Sequence, residues 1–412
     1  MSTSLEKYVQ EVEESIKPVY RIIDERALKN HAKVLNAFRR ARVSEFHLRG
    51  STGYGYGDSG RDTLEKIYAD IFRAEKALVR SQIVSGTHAI ALCLYGLLRS
   101  GDELLSVQGE PYDTLATMIG LRGKINGSLQ DMGVVYRQVD LADDGSLDFS
   151  RIGQAIGPKT KMVTLQRSAG YRWGTSLGIA GLKKAISFIR SRKPDTIIFV
   201  DNCYGEFVEL EEPIEAGADL VAGSLIKNPG GGLAPTGGYV IGQEKFVDLA
   251  AGRWSAPGVG GEIGPCNGNM QRLLFQGLFL APHTVAEALK GAVFAALFFE
   301  KLGYRVLPAY DDHRGDTVQS IMLGSPEKMI AFCRGLQKGS PIDSHVVPMP
   351  DDMPGYNDPV IMAAGTFVQG ATSELSADGP IRPPYAIYLQ GGLSKEYVKL
   401  ALLSAARELT NV

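Results

Sequence analysis

Four short stretches put residues capable of chemistry at the points where apolar runs give way to glycine or to a polar side chain. In "SGTHA", Ser85, Gly86 and Thr87 precede a helix that begins near His88. A helix start has unpaired N–H groups and the positive end of the dipole, which suits a phosphate, although Ser and Thr are also ordinary N-caps. "GEPYDT" places Tyr112 after the strand-like "LLSVQ", where its ring could stack on a flat heterocycle or fill a core with its hydroxyl satisfied. "IIFVDN" sets Asp201 directly behind an apolar run, at a buried strand end where a carboxylate needs a cationic partner. "GSLIKNPGGG" closes the next strand with Ser224 and Lys227. Most lysines are solvated surface groups. At a strand end, partial desolvation would disfavour the ammonium form and leave an amine able to attack an aldehyde.

Each stretch is weak alone, but their order along the chain is informative. A phosphate-binding helix start, a stacking aromatic, a strand-end aspartate and a strand-end lysine are together what pyridoxal phosphate requires. Lys227 would bind the aldehyde, Asp201 would keep the pyridine nitrogen protonated, and the helix would hold the phosphate.

The elements that must position these residues read as an α/β domain. Residues 1–40 are expected to form two helices, followed by "STGYGYGDSG" at 51–60, a loop whose paired tyrosines suggest that it covers something. A helix over "DTLEKIYADIFRAEKAL" follows. Strands are expected at "ELLSVQ", "GVVYRQVD", "KMVTLQ", "TIIFVDN", "DLVAGS" and "GGYVIG", with helices between several of them. Continuous apolar strands alternating with helices indicate a mostly parallel sheet covered on both faces, with ligands bound beyond the carboxyl ends of its strands. The expected organisation is an N-terminal arm and loop (1–60), a large α/β domain (61–284) and a smaller α+β domain (285–412) that ends on an amphipathic helix.

Composition narrows the partners. The 412 residues carry 44 Lys+Arg against 46 Asp+Glu, so there is no electrostatic case for nucleic acid or an anionic membrane, and a small molecule is the expected ligand. The four cysteines, Cys93, Cys203, Cys266 and Cys333, lack CxxC spacing, which argues against zinc or a disulfide framework and for a reducing cytoplasm. No His, Cys or carboxylate cluster has convincing ligand spacing, so no metal is expected. The N-terminus has no apolar region of a secretory signal, and the run "AIALCLYGLL" is too short to span a bilayer. Cys203 reads as a small buried residue rather than a nucleophile.

Three longer strings, "DNCYGEFVE" (201–209), "AGADLVAGSLIKNPGGGLAPTGGYV" (216–240) and "LFLAPHTVAEALKGA" (278–292), resemble the methionine γ-lyase/cystathionine β-lyase-like group of fold-type I pyridoxal-phosphate enzymes, often labelled aluminium-resistance proteins. The likeness runs through most of the chain. It implies a seven-stranded-type sheet, a carbon–sulfur lyase acting on an amino acid, and a homotetramer built from dimers that share active sites. Position by position, it makes Lys227 the Schiff-base lysine and Asp201 the pyridinium partner. Ser85, Gly86, Thr87 and Ser224 lie around the phosphate, and Tyr112 stacks on the ring and protonates the leaving sulfur. Tyr54 and Tyr56 stand where the transsulfuration enzymes use a tyrosine and an arginine to reach a neighbouring subunit's phosphate, with Arg61 close enough to replace the arginine. Arg382 is the candidate for the substrate carboxylate, and Arg167 and Arg172 compete for a carboxylate or phosphate role. The same apparatus could serve transamination, aldol cleavage or replacement, and a non-catalytic regulatory protein built on this fold is the rival from another class.

Overall fold

A computed structural model describes residues 3–410, with side chains from Lys7 onward. Helix α1 (Thr3–Arg40) leads through the glycine-rich loop into α2 (Ser59–Phe72). There follow β1 (Lys76–Arg80), α3 (Gly86–Leu97), β2 (Glu103–Ser106), α4 (Asp113–Ile119), β3 (Val135–Gln138), α5 (Phe149–Ala155), β4 (Thr160–Gln166), α6 (Ile179–Arg192), β5 (Ile197–Asp201), β6 (Leu220–Ser224) and β7 (Gly238–Gly242). Helices α7 (Glu244–Trp254) and α8 (Gly268–Lys301) come next, then β8 (Arg305–Leu307), β9 (Gln319–Met322), α9 (Pro326–Lys338), β10 (Val360–Ala363), β11 (Ser376–Pro380), β12 (Ala386–Gln390) and α10 (Lys395–Leu409).

Strands β1 to β7 form one sheet in the order β1-β7-β6-β5-β4-β2-β3. All neighbours from β6 to β3 run parallel, whereas β7 is antiparallel to both β6 and β1. The period-two alternation of strand side chains splits the apolar residues between two faces. Ile198 and Val200 of β5, Val221 of β6 and Ile241 of β7 belong to the core shared with α1, α2, α6 and α8. Ile197, Phe199, Leu220, Ala222 and Val240 belong to the core shared with α3, α4 and α7. A strand buried on both sides has no polar face, which is why these runs are continuously apolar. Each Val, Leu, Ile or Phe among them contributes about 1.5–3 kcal/mol of burial energy, as an upper estimate.

Two expectations are corrected. Residues 3–40 form one helix rather than two, with Pro18 inside it. Proline removes one helical hydrogen bond, but Val9, Val12, Ile16, Ile23, Val34 and Ala37 form a buried stripe on both sides of it, and α1 packs along α8. Tertiary packing therefore keeps the axis continuous. The second helix ends at Phe72 rather than Leu78, because Arg73 takes a left-handed conformation (φ 57°) and Lys76–Arg80 pairs with β7, Leu78 opposite Val240. An apolar run this short carries no decisive periodicity, and the strand partner decides its state.

The remaining strands make a second, five-stranded antiparallel sheet in the order β10-β11-β12-β9-β8. Helices α9 and α10 pack against each other, and α9 also contacts β10 and β11. Residue 284, where the sequence pattern changes, lies inside α8. No helix among the described residues is long and apolar enough to cross a membrane.

Candidate active site

The carboxyl ends of β5 and β6 meet the start of α3. Ser85 caps α3, its Oγ accepting from His88 N at 3.0 Å, while Gly86 and Thr87 open the helix and have N–H groups without intrahelical acceptors. A Cβ on Gly86 would lie 3.2 Å from Cys203 Sγ and 3.3 Å from the Ser224 Cβ. Glycine thus lets the helix start close against both strand ends. Tyr112 stands at the start of α4 with its hydroxyl 3.3 Å from Thr87 Oγ1. Burial pushes the phenol pKa up, so the hydroxyl keeps its proton.

Asp201 ends β5 and is 5% exposed. Its Oδ1 accepts from Cys203 N at 3.0 Å, and burial raises its pKa against the opposing pull of Lys227. Lys227 lies three residues beyond the end of β6 and caps a short 3-10 turn, Asn228–Gly230. Three contacts fix that turn. Asn228 Nδ2 donates to Glu206 O at 2.9 Å, and Ser373 Oγ donates to Ile226 O at 3.3 Å. Gly231, at φ 56°, sits so close to α8 that a Cβ would meet Gly277 O at 2.2 Å. Lys227 Nζ rests 3.9 Å from the centre of the Tyr204 ring.

The electrostatics of Lys227 depart from the expectation of a depressed pKa. Burial does lower it, but Cys203, Tyr204, Asp201 and Tyr112 together hold it well above its ordinary value. In this environment the ammonium is the favoured form, because the acidic groups around it, Cys203 and Tyr204 first and then Asp201 and Tyr112, outweigh the burial that opposes it. Burial raises the Cys203 thiol pKa as well, which keeps it neutral and a poor nucleophile.

The arginines separate clearly. Arg167 is fully buried. It donates to Glu209 Oε2 at 2.6 Å, Gly315 O at 2.8 Å, Asn202 Oδ1 at 3.2 Å, Leu177 O at 3.2 Å and Gly205 O at 3.3 Å. With its guanidinium donors committed in this way, it braces the loop after β5 and is not placed to take a substrate. Replacing it with leucine is expected to cost about 3–5 kcal/mol of stability in denaturant unfolding, because Glu209 loses its buried partner. A loss below about 1 kcal/mol, the range of surface changes, would contradict this structural role. Arg382 and Arg172 instead line a cavity of about 320 Å³ together with Tyr112, Asp201, Gln166 and Tyr171. Arg382 pairs with Asp358 at 2.8 Å and Asp113 at 3.7 Å, and Arg172 Nη1 donates to Gln108 O at 2.8 Å.

Tyr54 and Tyr56 are not brought to this cluster. They are 71% and 70% exposed and stack on each other at 5.5 Å. Arg61 is buried behind them and is engaged by Asp62, Gly55 O and Gly264 O, so it holds the loop in place. A larger cavity of about 1380 Å³ lies beside β1 and α7. Charged residues in its wall pair with one another, Lys76 with Glu244 and Asp248, and it contains none of the strand-end residues.

Several neighbours of the site had no signal in the sequence. Tyr204 has a left-handed backbone (φ 71°), which no residue type announces. Tyr171 lies 5.8 Å from Tyr356 and 5.3 Å from Tyr388, ring centre to ring centre. Asp378 is buried, accepts from Gln390 at 3.1 Å and has a pKa that burial raises to about 7. It lies in β11. No group of three or more His, Cys, Asp or Glu among the described residues could hold a metal ion.

A seven-stranded sheet with one antiparallel strand, a helix start, an aspartate and a lysine at adjoining strand ends, and a small antiparallel domain define the architecture of fold-type I pyridoxal-phosphate enzymes. The family model described as "Methionine gamma-lyase" matches residues 5–410, and the chain belongs to that family. A solved structure from Clostridium novyi NT, described as a carbon-sulfur lyase involved in aluminum resistance, is 45% identical with a TM-score of 0.95, covering 100% of this chain and 97% of that one. The YnbB protein of Bacillus subtilis (strain 168) is 53% identical over 406 residues, 98% of this chain and 96% of its own. L-methionine gamma-lyase of Pseudomonas putida is 31% identical over 199 residues, 48% of this chain and 44% of its own.

Proposed function

We propose that the protein is a pyridoxal-phosphate-dependent carbon–sulfur lyase that eliminates a thiol from a sulfur-containing amino acid. One observation carries this reading: the Asp201 carboxylate, the Lys227 amine and the start of α3 converge at the ends of β5 and β6. Asp201 has no ion pair and Lys227 no hydrogen-bond acceptor within ordinary geometry among the described residues. The N–H groups of the helix start also need an acceptor. Pyridoxal phosphate offers a partner to each through its ring nitrogen, aldehyde and phosphate, so these residues fit the group. The family and the names of the relatives agree with this chemistry.

Ser85, Gly86, Thr87 and Ser224 would hold the phosphate, Asp201 the ring nitrogen, Tyr112 a ring face, and Lys227 the aldehyde carbon. Bound in this way, the cofactor supplies the electron sink that makes the substrate's α-carbon acidic. Lys227 Nζ takes the α-proton, and the acidic groups around it, Cys203 and Tyr204 foremost, favour its keeping that proton. Tyr112, held protonated by burial, donates to the departing sulfur. Arg382 and Arg172 orient the substrate carboxylate from the cavity wall, Arg382 exchanging its contact with Asp358. Tyr54 and Tyr56, exposed and stacked on each other, would reach a neighbouring copy in a dimer of dimers. The four cysteines are buried and unpaired, which suits a reducing cytoplasm.

The test is to incubate the cofactor-loaded protein with cystathionine, methionine and cysteine. Release of pyruvate or 2-oxobutyrate with equimolar ammonia and thiol is expected. Arg382→Leu should raise KM about tenfold or more, with kcat less affected. A 2-oxo acid formed without free ammonia or thiol would overturn elimination in favour of transamination.

A further inference from the structure

Lys227 is held at its far end by something other than an acceptor. Its Nζ lies 3.9 Å from the centre of the Tyr204 ring and forms no hydrogen bond or ion pair of ordinary geometry with the described residues. A lysine in such a place ordinarily finds a carboxylate or a carbonyl. Here an aromatic face takes that role, since a ring's negative face attracts a cation.

Tyr204 itself is unusual. Its φ of 71° is an uncommon conformation for a bulky side chain, and it persists only where the surroundings over-determine it. Those surroundings are visible at both ends of the residue. The Tyr204 carbonyl accepts from Thr317 N at 3.2 Å, and its side chain packs with Tyr171 and Trp173 against Val318, Ala386 and Tyr388. The phenol lies near Thr372 and Asp378. Thr372 adjoins Ser373, whose hydroxyl holds the backbone one residue before Lys227. The same segment therefore borders the ring beneath the amine and holds the chain that carries the amine.

We propose that Tyr204 is a positioning residue for Lys227: its ring, fixed by a strained backbone, holds the end of the lysine side chain in place whenever the amine is not joined to the cofactor. This inference rests on the reading of Lys227 as the reactive amine. A lysine side chain is long and rotamer-rich, and each release would otherwise let it wander. The ring keeps it within reach and favours the protonated form that proton abstraction produces. The groups that act on Lys227 come from every element around it: Asp201, Cys203, Tyr204 and Glu206 from β5 and its loop, Tyr112 from the start of α4, Tyr356 from the segment before β10, and Asp378 from β11.

The experiment uses the full-length protein stripped of cofactor, with Tyr204→Phe, Tyr204→Leu and Tyr204→Gly beside the wild type. Pyridoxal phosphate is added, and the rate of its borohydride-fixable capture at Lys227 is followed from neutral to alkaline pH, with peptide mapping to locate it. The ring favours the ammonium, so its loss lowers the amine's pKa. Tyr204→Leu should shift the midpoint of the rate profile down by about one pH unit, as expected for a partly desolvated cation–π contact. Its plateau at high pH should also fall several-fold, because the amine is no longer held in place. Tyr204→Phe, which keeps the ring, should restore the wild-type midpoint. Tyr204→Gly relieves the backbone strain and should melt no lower than Tyr204→Leu while sharing its shifted midpoint, so lost folding cannot mimic the result. A midpoint that is the same in Leu, Gly and wild-type proteins would overturn the proposal, whatever happens to the plateau. Capture in the wild type at a residue other than Lys227 would instead overturn the reading of the site on which it rests.

Discussion

Lys227→Ala should lose borohydride-fixable cofactor entirely and slow elimination by about ten-thousand-fold or more, since the variant lacks both the amine that binds the aldehyde and the base that takes the α-proton. The fold should survive. Asn228, Ser373 and Gly231 hold the turn through contacts that do not involve the lysine side chain. The folded chain holds the Lys227 proton more tightly than the unfolded chain does, so the variant should lose some stability at neutral pH, by no more than about 3 kcal/mol in denaturant unfolding. The measurement pairs the visible spectrum before and after reduction with turnover on the best sulfur substrate. A variant that still fixes cofactor at the same site, or turns over within tenfold of the wild type, would move the chemistry elsewhere.

Asp201→Asn should lower kcat by about 10²–10³-fold, the scale on which loss of one preorganised electrostatic group is felt. It should do so with Lys227 still fixing cofactor, which separates the two roles. Its effect on stability runs the other way. Burial holds the Asp201 pKa above the ordinary carboxylate value, so the folded chain binds a proton more tightly there than the unfolded chain. Such a group favours the folded state fully below the unfolded pKa, about 4 for aspartate, and loses that advantage as pH rises through the raised folded value. At neutral pH the charged carboxylate therefore weighs against folding of the cofactor-free chain. The asparagine variant, stripped of cofactor, should unfold at equal or higher denaturant concentration than the wild type at pH 7, and the difference should shrink in acid. A variant that is less stable at neutral pH, with kcat unchanged, would show that Asp201 serves the fold and not the reaction.

The residues at the heart of the site were legible because local physics places them. Strands buried on two faces must be continuously apolar, so "IIFVDN" and "DLVAGS" declare themselves. In an α/β sheet the residue that ends such a run stands at the rim where ligands bind. Asp201 and Ser224 could be assigned to strand ends from the sequence, whereas Lys227, expected to close the same strand as Ser224, lies three residues beyond its end because the chain turns at Asn228–Gly230. The cap at Ser85 was equally local. What the sequence could not determine depends on partners distant along the chain. Arg167 and Arg382 look alike in a sequence, and only the folded chain shows one buried against Glu209 and Gly315 and the other in the cavity wall. Lys76–Arg80 became a strand because β7 was there to pair with it, and α1 stayed whole across Pro18 because α8 lies alongside. The direction of the Lys227 pKa shift was also tertiary: desolvation can be guessed from a strand end, but the opposing pull of Asp201 and the ring of Tyr204 needs their positions in space. Periodicity and strand ends are properties of neighbours in sequence, whereas ion pairing, strain and electrostatic balance are properties of neighbours in space, and so they are decided only when the chain folds.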